Sequence, residues 1–553
     1  MLSKRMSIMR MHNHIEKEWM NVKKLFSLML MACMLISCFA VAGQAEPLVE
    51  TQPWLTPYEE TVVMHIANWE VTNTDWQFEG DDTTNDCFIR AYKDWLNVEV
   101  VTDWVSADYT SQLNLCIASG ELPDVFLVNN VQYTQLVEAG MLEDMTDVFE
   151  ANVSDAARAQ YESVPAVVDA YKVDGRLYGI PQLYYGDIDK PYYMWFRNDW
   201  MQELGFEAPK TIDEMVAIVE KMNEVYGTKG MAEDKSLSHL MGIATAWHAY
   251  PKIWVKDAEG NLVYGSLSEE MKNVIATYAD WYSRGLINPD FATQDSDAVK
   301  TDVINGKYGA QPFQQWWGWH CGADVVNTTG IRDSYFLPYW VPSIDENPNL
   351  TSLKFPNSNI LVVRKGYEHA DAAVKLMNLH LYVDTEAVKD GLVALEDFHF
   401  YTNTIQNKPF NIKTPLGDFN GYEQTQVYKE TGDPSVFVYS GNLDKCTTAE
   451  AYLETGDTSG TLGGLLQMYH DQCAYSFGYK AVVEDLFQRD AMWGAAPDLV
   501  NSYGSTLDDL LLEGFTLIIT GQQPIEYFDT LVESWYAAGG DMVTAAVNEM
   551  YNK

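Results

Sequence analysis

Cys38 closes the series Leu35-Ile36-Ser37-Cys38 at the end of an apolar run, and a thiol so placed is suited to covalent attachment of a lipid. Lys23 and Lys24 precede the run, which extends from Leu25 to Ile36. It is too short for a comfortable transmembrane helix, which needs about 20 residues. The segment therefore reads as an export signal over residues 1–37, with translation starting at Met1 or at Met20. An ordinary secretory cut after Ala40-Val41-Ala42 is the alternative. The other cysteines, at 33, 87, 116, 321, 446 and 473, form no C-x-x-C pair, which argues against a zinc knuckle or a disulfide framework.

A second chemistry lies in the aromatic residues, since the chain has 17 Trp and 33 Tyr. The densest group is Trp316, Trp317 and Trp319, followed by His320. Indoles offer flat apolar platforms, and leaving several of them in water is costly unless they cover something. Hydrolytic chemistry is harder to find. Two carboxylates about 5–10 Å apart could cleave a glycosidic bond, but no segment isolates such a pair. Gly-x-Ser-x-Gly, His-Glu-x-x-His, phosphate-cradling and dinucleotide-binding patterns are absent. No cofactor is expected.

The elements that must position these residues read as an open α/β sheet. Thr61 to Ala67 is a β-branched apolar run, hence a buried strand, that opens at Asn68-Trp69-Glu70. A helix around Ser111 to Ser119 is closed by Gly120, and the strand Val125 to Val128 ends in Asn129-Asn130. Thr211 caps a helix with Glu214 as its box partner, and Ile212, Met215, Val216, Val219 and Met222 share one face. Met271, Val274, Ile275 and Tyr278 make a second stripe, stopped by Gly285. Ile360 to Val363 and Ala370 to Asn378 form a late strand-helix unit, which implies that the chain crosses between two domains more than once.

Composition narrows the partners. The net charge is −43, from 79 acidic and 36 basic residues, so phosphate backbones are repelled and nucleic-acid binding is not expected. An anionic ligand is repelled as well, unless a local pocket reverses the field.

An ordered series of segments then resembles the large carbohydrate-type, family 1 solute-binding lipoproteins of ABC importers in Gram-positive bacteria. It runs through Ser119-Gly120-Glu121-Leu122-Pro123-Asp124-Val125, Tyr178-Gly179-Ile180-Pro181 and Trp195-Phe196-Arg197-Asn198-Asp199-Trp200. Pro209-Lys210-Thr211, Gly285-Leu286-Ile287-Asn288-Pro289, Gly306-Lys307-Tyr308-Gly309 and Ile518-Ile519-Thr520-Gly521 continue it. The resemblance implies two α/β lobes of the type II periplasmic-binding-protein kind, joined by a multi-strand hinge. It implies lobe 1 over 38–181 plus 353–400 and lobe 2 over 182–352 plus 401–553. The implied partners are an oligosaccharide, permease subunits and a membrane reached through a lipid on Cys38, with the protein a monomer on the extracellular face. An exported glycan-active hydrolase and a sugar-sensing surface lipoprotein are the other readings.

For a sugar ligand, the candidate contacts are Trp69, Glu70, Asn129 and Asn130 at strand ends, with turn capping as the rival role for the asparagines. Tyr184 and Tyr185 follow the hinge. Trp247 and Trp340 are candidates against buried packing, beside Trp316, Trp317 and Trp319. Arg197 could clamp an acidic sugar, but pairing with Asp199 or Asp213 is the favoured role. Many relatives carry an acidic calcium loop after the Pro-Lys-Thr helix. Here Tyr226 to Met231 lacks alternate carboxylates, and Asp257 to Asn261 reads as a hairpin turn, so no metal is expected from either.

Overall fold

The computed structural model describes residues 52–70, 81–183, 191–355, 357–382, 410–412, 416–438, 440–458 and 462–551. Cys38, Tyr184 and Tyr185 lie outside them. The chain runs through β1 (Val62–Trp69), α1 (Cys87–Leu96), β2 (Val98–Ser106), α2 (Tyr109–Ser119), β3 (Val125–Val128), α3 (Asn130–Glu138) and β4 (Ile180–Leu183). It continues with β5 (Tyr192–Arg197), α4 (Ile212–Tyr226), β6 (Trp254–Lys256), β7 (Leu262–Tyr264) and α5 (Glu269–Ser283). Then come β8 (Ala310–Gln314), α6 (Trp317–Thr329), β9 (Phe336–Tyr339), β10 (Thr351–Leu353), β11 (Asn357–Val363) and α7 (Ala370–Tyr382). β12 (Phe487–Arg489) and α8 (Asp498–Ile519) frame the site from the carboxyl-terminal part.

The first sheet has the order β2-β1-β3-β11-β4. β1 pairs in parallel with β2 and β3, whereas β11 runs antiparallel to β3 and β4. Val125-Phe126-Leu127-Val128 is buried at every position, as a central strand covered on both faces requires. Asp108 caps α2 through the Ser111 N–H, and Gly120 ends it at φ 77°, where a side chain would be strained. α7 is apolar nearly all round and packs into this core with Ile360 to Val363.

A second sheet, in the order β8-β5-β9, is antiparallel. Its centre, Tyr193-Met194-Trp195-Phe196, has no solvent exposure. α4 buries Ile212, Met215, Val216, Val219 and Met222 against it, and α5 buries Met271, Val274, Ile275 and Tyr278. The Thr211 hydroxyl caps α4, but the Glu214 carboxylate reaches the Lys210 N–H, one residue before the cap.

Both calcium-loop positions are filled by internal hydrogen bonds. β6 and β7 form a hairpin, in which the Asp257 carboxylate accepts from the Asn261 backbone and side chain. After α4, Asn223 Oδ1 accepts from Thr228 and Gly230. Gly230 must be glycine, since a Cβ there would sit 2.3 Å from the Leu286 backbone.

The described chain passes between the two cores more than once. Passages fall between Leu183 and Tyr193, between Val341 and Ile360, and between Ile412 and Tyr422. Phe410 and Ile412 pack in the first core, and Gln182 Nε2 donates to the Asn411 carbonyl. The 400/401 boundary implied by the resemblance lies outside the described residues. At the second passage β10 pairs in parallel with β12, and Phe355 meets Trp493 edge-on at 5.6 Å.

Candidate functional site

A cavity of about 260 Å³ opens where these passages meet the second core. Tyr192, at the start of β5, follows the first passage, and Thr351 and Ser352 on β10 fall within the second. Gln314, at the end of β8, closes one side, while Ser236 and Ser238 come from the segment between α4 and β6. Lys252 and Lys354 complete its polar wall. Gly242 makes room for Tyr192, since a Cβ there would stand 2.2 Å from the phenol ring.

The three clustered tryptophans divide by helical geometry. Successive helix residues are rotated by about 100°, so residues three apart share a face and adjacent ones do not. Trp316 and Trp319 are 39% and 42% exposed, whereas Trp317 has no exposure. Trp317 donates its indole N–H to Gln311 and stacks on Trp195 at 5.3 Å. It is a core residue, contrary to its place among the candidate contacts. Trp316 donates to Gln314 Oε1 at 2.8 Å and meets Phe313 edge-on at 4.5 Å. Phe313 in turn stacks with His239 and His320. Trp319 rests on Gly463, where a Cβ would come within 2.4 Å of the ring, and the Lys445 ammonium lies 5.7 Å from its centroid.

The other candidates scatter. Trp247 is buried edge-on against Tyr278 and Trp281, so it too is a core residue. Trp340 is half-buried against Tyr193 and Phe477. Trp69 stacks on Tyr109 at 3.9 Å, and Trp104 flanks the same tyrosine. Glu70 is exposed, with its N–H bonded to the Ser106 carbonyl. Asn129 caps α3 in a reciprocal box with Gln132, and the Asn130 carboxamide accepts from the Tyr171 hydroxyl. The pairing of Ile66 with Val125 brings Trp69 and Asn129 to the same edge of the first sheet. Arg197 is buried and grips Asp199 with two hydrogen bonds, 2.8 and 2.9 Å, while stacking over Trp200. That is the structural role favoured from the sequence.

Buried titratable groups stand behind the cavity. Burial pushes the Glu233 carboxyl up to about 7, although His239 and two backbone N–H groups oppose the shift. Burial also raises Asp234, but hydrogen bonds from His239 and Ser236 outweigh it and hold this carboxyl down at about 2. His239 gains proton affinity from these two carboxylates against the cost of burial. Asp490, whose Oδ1 accepts the N–H groups of Trp254 and Met492, is pushed up to about 6 by burial. Among the described residues, no group of three His, Cys, Asp or Glu side chains is placed to hold a metal ion.

The cavity residues were not found from the sequence, because they come from four separated segments with no local pattern. Gln314 had the one usable signal, standing at a strand end two residues before Trp316.

The sequence pattern of bacterial extracellular solute-binding proteins matches residues 88–379, more than half of the chain. The chain belongs to this family. This solute-binding protein is 22% identical over 498 residues to lipoprotein LipO of Bacillus subtilis, covering 84% of this chain and 88% of LipO. It is 24% identical over 260 residues to the fructooligosaccharide ABC transporter substrate-binding protein FusA of Streptococcus pneumoniae, covering 42% of this chain and 46% of FusA. Among solved structures, the alginate-binding protein AlgQ2 without calcium ion superposes with a TM-score of 0.59 at 14% identity, over 90% of this chain and 99% of AlgQ2. The two sheets and their covering helices are thus the two-lobed, type II fold of solute-binding proteins. Among the described residues no helix is long and apolar enough to cross a membrane.

Proposed function

We propose that this solute-binding protein captures an oligosaccharide between its two lobes and delivers it to the permease subunits of an ABC importer. In this reading the first core, up to Leu183 plus residues 357–382 and 410–412, belongs to one lobe and the second core to the other. The observation that carries it is Trp316, an exposed indole hydrogen-bonded to Gln314, which lines a cavity of mixed polar and apolar residues at the inter-core passages. A sugar offers an apolar C–H face to the indole and hydroxyls to Gln314, Ser236, Ser238 and Thr351. FusA, named for fructooligosaccharide, supports the ligand class.

Binding without bond cleavage is the favoured reading, because the family and the relatives are named as solute-binding proteins. LipO, named a lipoprotein, supports anchoring through Cys38 on the outer face of the membrane. Thermal-shift screening against neutral and acidic oligosaccharides tests the reading, since a ligand at 100 times its Kd stabilises by about 2.7 kcal/mol. A binding sugar recovered intact supports it. Cleavage of that sugar, or no binding across the library, overturns it.

A further inference from the structure

We infer that the saccharide is anionic, and that Lys252 and Lys354 bind its negatively charged group inside the cavity. This inference rests on the capture of a sugar at this site. The chain carries 79 acidic against 36 basic residues, and many of its lysines sit beside carboxylates. Lys93 meets Glu99, Lys172 meets Asp169, Lys221 meets Glu224 and Lys272 meets Asp529. Lys252 and Lys354 are set apart by their place, since the other exposed lysines without an ion pair among the described residues, Lys210, Lys235, Lys256 and Lys365, do not line the cavity. Both are exposed, both reach one cavity from separate segments, and neither has an ion-pair partner among the described residues.

The acidic groups behind the cavity are turned inward. Asp234 gives one oxygen to the N–H and hydroxyl of Ser236, and the other faces His239. Asp490 is the carboxylate whose field reaches Lys354, and its Oδ1 is taken by two backbone N–H groups. The lining therefore brings two lysines together with Ser236, Ser238, Thr351 and Ser352. Ser352 Oγ is itself buried, without a hydrogen-bond partner among the described residues. An ammonium is a strongly hydrated point charge with three donors, which suits a carboxylate approached from several directions. A local positive site is what an anion needs in order to enter a protein of net charge −43. Trp316, tied to the cavity through Gln314, supplies the stacking face that makes the ligand a saccharide and not a simple anion.

Calorimetric titration of the mature protein with oligosaccharides in matched pairs, identical except for oxidation of C6 to a carboxylate, tests the inference. The acidic member of at least one pair should bind about tenfold tighter than its neutral partner, equivalent to 1.4 kcal/mol. The difference should shrink at high salt. Lys252→Met and Lys354→Met should each weaken the acidic member about fivefold or more and weaken the neutral one by much less, with melting temperatures intact because both lysines are exposed. Neutral members binding as tightly as acidic ones, or lysine variants without effect, overturns the anion site while sugar capture stands. Displacement of the acidic sugar by acetate at equal concentration shows a bare anion site and also overturns it. No binding by either half of the panel overturns sugar capture together with the inference.

Discussion

Trp316 donates its indole N–H to Gln314 at 2.8 Å, and Gln314 forms part of the cavity wall. The bond ties an exposed ring to a residue of the cavity wall, and in the proposed reading one ligand meets both. Loss of either partner should therefore be felt in binding before it is felt in folding.

Trp316→Ala and Trp319→Ala should each raise the Kd for the bound sugar by about tenfold, or 1.4 kcal/mol, at little cost in stability. Trp317→Ala should do the reverse, losing about 3 to 5 kcal/mol of stability while the folded fraction binds normally. Calorimetric titration and thermal melts on the three single variants separate the two behaviours. A Trp317→Ala protein that melts normally but fails to bind would contradict the division made here.

Arg197 is buried against Asp199, so Arg197→Ala leaves an unpaired carboxylate in a nearly closed site. Unfolding by denaturant should show a loss of about 3 to 5 kcal/mol. Sugar affinity, measured below the unfolding transition, should not change.

Asp490 gives stability a defined pH dependence. Its ordinary value of 3.8 is raised by burial to about 6 in the fold. The folded state therefore holds a proton that the unfolded chain has released, and this site costs stability as pH rises from about 4 to 6, levelling off above. Asp490→Asn removes the titration and keeps an Oδ1 acceptor for Trp254 and Met492. The variant should gain on the wild type between pH 4 and pH 7 by on the order of 2 kcal/mol in denaturant unfolding. A constant difference between the two proteins would show that Asp490 does not titrate as described.

Replacing Cys38 by Ala should release the protein from membranes or leave it unprocessed. Mass spectrometry of the mature amino terminus reads the outcome. A diacylated Cys38 is expected, and an unmodified terminus at Gly43 would replace the anchor by simple secretion.

Much of the scaffold was legible in local pattern. Val125 to Val128 is a strand with the expected bounds, and the stripes at Ile212 to Met222 and Met271 to Tyr278 are buried as their spacing requires. Gly120 and Gly285 end their segments at positive φ, a conformation that glycine adopts without strain. The site was less legible, because burial of an aromatic ring depends on distant partners. Trp316 and Trp317 are neighbours in sequence, yet Trp195 and Gln311 claim only the second. Asn129 reads as a strand-end contact until Gln132 is seen to complete a helix cap. Lys252 and Lys354 carry no motif at all. They become informative only when the fold brings them to one cavity in a strongly acidic protein.

Capture between two lobes implies that the protein closes when the sugar binds, as hinged binding proteins do. Small-angle scattering of the protein, free and saturated with an oligosaccharide that calorimetry has shown to bind, tests this most directly. The account expects a smaller radius of gyration for the complex, and the decrease should disappear in a Trp316→Ala variant at a sugar concentration too low to saturate it. Superimposable curves with and without bound sugar would contradict closure around the ligand and leave the cavity as a rigid surface site.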